Sequence, residues 1–151
     1  MDAITLLRKD HHTIRSLFED LKPLTGRAEK TRQELFDKLR YELDVHQHVE
    51  EKIFYPVVRK EALTHDIALE GKEEHHVIDL LLHELSAMDI ATERWGVKLH
   101  VLSENVEHHL GEEEEKMFPD AREILEKSKI VDLGDKIEAE KKVFKATWKS
   151  A

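Results

Sequence analysis

Two stretches of the chain share one chemistry-bearing spacing. His46-Gln47-His48-Val49-Glu50-Glu51 runs on to Pro56, and His109-Leu110-Gly111-Glu112-Glu113-Glu114 runs on to Pro119. In both, Glu follows His at i+4 and Pro follows at i+10. On a helix, i and i+4 lie on one face a turn apart, so each stretch offers an imidazole beside a carboxylate. That pair is a two-tooth grip for a metal ion. Two more histidines repeat as well. Asp10-His11 with Ile14 recurs as Glu74-His75 with Ile78, and a Leu (Leu21, Leu85) stands ten residues past each His. The copies are 64 residues apart for this motif and 63 apart for His-x-x-x-Glu.

The elements that must carry these residues read as long amphipathic helices. A first helix is expected from Asp2 or Ala3 to Leu21, with the seam Ile4, Leu7, His11, Ile14, Phe18 and Leu21. Lys22-Pro23-Leu24-Thr25-Gly26 stops it. A second is expected from about Glu29 to beyond Glu50, on the seam Leu35, Leu39, Leu43, His46, Glu50 and Ile53; Pro56 breaks or kinks it. The third starts between Thr64 and Leu69 and ends near Met88, on the seam Lys72, His75, Ile78, Leu82 and Leu85, with Gly71 weakening its early part. The fourth starts at Thr92 as N-cap, on the seam Trp95, Leu99, Leu102, Val106, His109, Glu113 and Met117. Pro119 interrupts it, the pattern resumes over 120–127, and a last amphipathic helix spans about Leu133 to Trp148, packed outside the bundle. The fold class is therefore all-α: an up-down-up-down four-helix bundle with an extra C-terminal helix, built from two similar hairpins.

Six polar residues occupy apolar seams: His11, His46, Glu50, His75, His109 and Glu113. An ionised carboxylate in a bundle core costs several kcal/mol unless it is paired. A bound cation offsets that cost for all six at once. Taken singly, a seam His reads as a hydrogen-bonded core residue, and one His-x-x-x-Glu pair as a surface contact. Six in phase and duplicated read as metal ligands. Four imidazoles with two carboxylates suit iron, manganese or zinc better than calcium or magnesium. Six ligands exceed the four that close a structural zinc site and suit two ions, with Glu50 and Glu113 each able to bridge. Such a pair with open coordination positions can bind and reduce O2 or peroxide. The other histidines (His12, His48, His65, His76, His83, His100, His108) fall off the seams and read as surface. Glu51 and Glu114, one past each ligand Glu, read as exposed or as hydrogen-bond partners of a ligand imidazole.

Composition sets bounds on this reading. The chain has 151 residues, enough for one domain with a real core, and only five Gly and three Pro. With no Cys, disulfides, thiolate-held zinc and iron–sulfur clusters are excluded. The formal net charge is −9, with no basic tract, so nucleic acid and anionic membranes are poor partners. No apolar run approaches a membrane span, no signal-peptide block opens the chain, and a cytoplasmic location is expected. Eleven His in so short a chain is the excess that the metal reading explains.

At these motifs the chain resembles the hemerythrin HHE cation-binding family. The match runs through Asp10-His11, His46 with Glu50-Glu51 and Pro56, Glu74-His75, and His109 with Glu113-Glu114 and Pro119. It assigns residues 1–127 to the HHE domain and 128–151 to a C-terminal helical extension. The resemblance implies a pair of non-haem, carboxylate-bridged iron ions, with manganese or zinc as alternatives, and O2-related function. The oxygen-carrying members use His-x-x-x-His on the third helix and His-x-x-x-x-Asp on the fourth. Here Asp79 stands four past His75, open as a seventh ligand, and Glu fills both i+4 and i+5 after His109. This carboxylate-rich set moves the expectation from O2 carriage towards redox chemistry. Three readings stay open: a module binding or sensing O2, H2O2 or NO in the response to oxidative stress, a peroxide-decomposing or oxidase-type enzyme, and an iron-handling protein.

Overall fold

The computed structural model describes residues 1–148. Helix α1 (Ala3–Leu21) starts where Asp2 caps it, its carboxylate accepting the Thr5 N–H at 2.8 Å. A single 3-10 turn at Gly26–Ala28 leads into α2 (Glu29–Val49). The fourth bundle helix, α5 (Glu93–Glu112), begins at Thr92, whose hydroxyl accepts from Trp95 N–H as its sequence predicts. Between them α4 (His65–Ala87) supplies the third helix. Helix α1 packs on α2 and α4 on α5, and α1 also meets α5, so two hairpins join into one bundle.

Both prolines are passed without ending a helix, where a break or kink was expected at Pro56 and an interruption with resumed helix at Pro119. After Val49 the chain makes a π turn, Glu50–Phe54, and continues as α3 (Tyr55–Val58). After Glu112 it makes a second, Glu113–Met117, and continues as α6 (Phe118–Ile124). In an unbroken α-helix the ring of Pro56 or Pro119 would press on the carbonyl four residues back. Here Tyr55 N–H reaches Glu50 O and Phe118 N–H reaches Glu113 O, five residues back, just ahead of each Pro. The widened turn absorbs one extra residue and shifts the buried face by one position. Phe54, not the expected Ile53, therefore lies in the core. Two other seam positions also differ. Phe36 is buried where Leu35 was expected, and Lys72 is exposed while its neighbour Gly71 faces inward.

The core has two apolar parts. One gathers Ala3, Ile4, Leu7, Val49, Phe54, Val58 and Phe118; the other gathers Ile14, Phe18, Leu39, Leu43, Ile78, Leu82, Trp95 and Val106. Along each helix the chemistry-bearing residues fall between the two parts, so they form a polar layer closed above and below by hydrocarbon.

Helix α7 (Lys127–Thr147) starts six residues earlier than expected and lies across α1 and α2. It is not external to the core. Ile130, Leu133 and Ile137 are buried within the same apolar part as Ile4 and Leu7. Gly134 permits the close approach, since a Cβ there would fall 2.2 Å from the Met1 carbonyl oxygen. The expected division between residues 127 and 128 falls in the first turn of α7, and residues 149–151 lie outside the described residues.

Candidate metal centre

The bundle brings all six seam residues into one layer, and each is at most 2 % exposed. They form two groups that share Glu50. His11, His46, Glu50 and Glu113 offer one ligand atom each within 4.8 Å of one another, and so do Glu50, His75 and His109. Glu113 spans the groups as well: Oε1 is 3.0 Å from His11 Nε2, while Oε2 is 3.6 Å from His109 Nε2. Glu50 Oε1 lies 3.2 Å from His46 Nε2 and 3.1 Å from His75 Nε2. With metal–ligand bonds of about 2.0–2.2 Å, ligand atoms at right angles sit about 3 Å apart. The spacings at His11, His46 and His75 match such an edge.

Each imidazole is fixed from behind by a carboxylate. His11 Nδ1 meets Glu114 at 2.7 Å, His46 Nδ1 meets Asp10 at 2.9 Å, His75 Nδ1 meets Glu51 at 2.9 Å and His109 Nδ1 meets Glu74 at 2.6 Å. A carboxylate only accepts, so each Nδ1 carries a proton and each ring turns Nε2 inward, where its lone pair can bind a metal ion once that nitrogen is deprotonated. The pattern obeys the duplication: His11 with Glu114 mirrors His75 with Glu51, and His46 with Asp10 mirrors His109 with Glu74. Asp10 is held in turn by Lys141 of α7, and Glu114 by Arg15 at 2.7 Å.

Without a cation, this layer is electrostatically stressed. Fully buried His46 Nε2 and Glu50 Oε2 have no hydrogen-bond partner. Burial by itself would lower the imidazole pKa values, but the facing carboxylates overcome it. Glu50 and Asp10 hold His46 well above its ordinary value, and His75 is also raised. Glu113, Glu50 and Glu74 lift His109 to about 10. Burial would raise Glu50, yet the histidines hold it well below the carboxylate range. Orphaned donors aimed at a common centre, an all-N and O ligand set and absent thiolates fit iron, manganese or zinc.

The remaining expectations separate cleanly. Asp79 is in neither group; its carboxylate accepts from Gln47 Nε2 at 2.7 Å. His12 and His76 are exposed. A further cluster of Glu74, His108 and Glu112 lies at the surface, where the i,i+4 pair of His108 and Glu112 accounts for it. Two residues in the layer escaped the sequence reading. Tyr55 is buried with its Oη 2.6 Å from Glu113 Oε2, and Gly71 backs its ring. Burial, with Glu113 and Glu50 beside it, pushes the Tyr55 phenol well above its ordinary pKa. Its one sequence signal was the position next to Pro56.

Residues 2–121 match the family model for the hemerythrin HHE cation binding domain. The chain belongs to this family. All six seam residues fall within the matched segment, and α7 falls beyond it. Among similar proteins, the uncharacterized protein Rv2633c of Mycobacterium tuberculosis is 29% identical over 143 residues, covering 92% of this chain and 84% of that one. An uncharacterized protein of Mycobacterium bovis, Mb2666c, matches to the same extent. The crystal structure of a hemerythrin HHE cation binding domain-containing protein of Mycobacterium kansasii, a homologue of Rv2633c, superposes with a TM-score of 0.84 at 26% identity. The superposition covers 97% of this chain and 89% of that one.

Proposed function

We propose that this HHE protein is a non-haem diiron protein that reacts with O2, peroxide or NO in redox or oxidative-stress chemistry. The observation that carries the reading is the convergence of four carboxylate-locked imidazoles on two buried carboxylates, in two groups that share Glu50. When bound, two iron ions supply the electrons for reducing a small oxidant. The protein supplies the rest. Asp10, Glu51, Glu74 and Glu114 keep each Nδ1 protonated and each ring oriented, so no reorganisation is needed at the centre. Phe118, stacked on His11 at 5.5 Å, and the apolar parts on either side keep bulk water from the layer.

The donor set differs from that of the oxygen carriers by one imidazole: Asp79 and Glu114 add no carboxylate to the layer, and no fifth imidazole joins the two groups. One neutral donor fewer leaves more room for a small oxidant to bind and react, which favours redox chemistry over carriage. Protein loaded with ferrous iron without air should oxidise rapidly and irreversibly on exposure to O2, and should evolve O2 from added peroxide. Colour that appears with O2 and disappears when O2 is removed would instead identify a carrier. The variants His46→Ala and His109→Ala should abolish the reaction together with iron binding.

A further inference from the structure

The duplication that organises the centre is broken at one pair of positions. Phe118 and Tyr55 are 63 residues apart and follow the two π turns at equivalent places. Each ring stacks on a ligand-type imidazole: Phe118 on His11 with planes 23° apart, Tyr55 on His75 with planes 18° apart. The rings fill matching volumes, so packing needs no hydroxyl at either place, yet Tyr55 has one. The position behind it differs in the same sense. Gly71 stands 64 residues after Leu7, and a Cβ at Gly71 would lie 2.8 Å from Tyr55 Oη. Residue 71 therefore clears a seat for the phenol that the other half does not make.

The hydroxyl oxygen has more neighbours than one hydrogen bond requires. Besides Glu113 Oε2 at 2.6 Å, it lies 3.3 Å from Glu50 Oε1, 3.4 Å from His75 Nε2 and 3.4 Å from His109 Nε2. The last three atoms are those of the second ligand group, which offers three side chains where the first offers four. Distances of this size are those between ligands sharing one ion at bonds of about 2.0–2.2 Å.

We infer that Tyr55 Oη is an additional protein ligand of the ion held by Glu50, His75 and His109, so that the two metal positions are chemically unequal. The inference rests on the two-metal reading above. As the oxygen–metal bond forms, the O–H bond breaks, and the proton leaves by way of Glu113 Oε2, which already accepts it, to solvent. No electron is transferred in this step. A phenolate is a strong donor to ferric iron and gives that ion a ligand-to-metal charge-transfer absorption in the visible. Carboxylates and imidazoles give none of comparable strength there.

The test is the visible and resonance Raman spectrum of the ferric-loaded protein, with metal content measured on the same samples. The expected result is a visible band that enhances tyrosine ring modes. Tyr55→Phe should lose it completely while retaining the iron of the parent protein. Gly71→Ala, which crowds the phenol without removing it, should shift or weaken it. Protein that binds two ferric ions but shows no such band, with Tyr55→Phe spectrally identical, would overturn the inference and leave the two-metal reading intact. Protein that takes up no iron would overturn both.

Discussion

At the scale of residues, the centre is defined as much by what stands behind the imidazoles as by the imidazoles themselves. Asp10, Glu51, Glu74 and Glu114 each fix one Nδ1 proton, so replacing one with its amide removes the orientation without removing a ligand. Asp10→Asn and Glu74→Gln should each weaken metal binding by about 10–100-fold, read by competition against a chelator. Affinity unchanged in both would mean that the rings are positioned by packing alone. A second prediction concerns protons. In the metal-free protein, His109 is held at about 10 against an ordinary 6.5. Its charged form therefore stabilises the fold fully below about pH 6.5, and this contribution is lost as pH rises towards 10. Metal needs the deprotonated ring, so loaded protein shows the opposite trend. Melting temperature of the metal-free protein should fall across this range, and the increment given by added metal should grow. The six ligand-type residues were legible in sequence because imidazoles and carboxylates are conspicuous in an apolar seam. Tyr55 and Gly71 were not, because an aromatic residue and a glycine in a seam look like ordinary core and a weak helix.

At the scale of elements, the π turns are what periodicity could not supply. A strict 3.6-residue pattern carried through Glu50 places Ile53 inside, whereas the extra residue before Pro56 turns Phe54 inward instead. Pro56 and Pro119 read as stops in the sequence, but a five-residue hydrogen bond just before each lets the helix continue. These turns put Tyr55 and Phe118 over the centre. The last helix teaches a related point: its amphipathic stripe shows that one face is buried, but not against what. Ile137, fully buried between α7 and the bundle, should behave as a core residue. Ile137→Ala should cost about 2–5 kcal/mol in denaturant unfolding, while Val143→Ala on the exposed face should stay within about 0.5 kcal/mol. A loss at Ile137 no larger than that at Val143 would show α7 to be a loosely attached appendage. Lys141 makes the attachment chemical as well, since it holds Asp10 behind His46.

At the scale of the whole molecule, two helical hairpins related by 63–64 residues close a polar layer between two apolar parts. The arrangement was readable from sequence because duplication, seam phase and residue type agreed, and a chance match in all three is rare. The departures from symmetry were not readable, because they depend on which side chains share a volume: Tyr55 opposite Phe118, Gly71 opposite Leu7, and α7 laid across α1 and α2. The central claim is that the layer is a single site for two metal ions with Glu50 shared between them. Anaerobic titration of the metal-free protein with ferrous iron, followed by bound metal per chain, tests it most directly. Binding that saturates at two ions per chain, and that is lost for both ions in His46→Ala and His109→Ala, is the result expected. Saturation at one ion, or no uptake at all by folded protein, would contradict it.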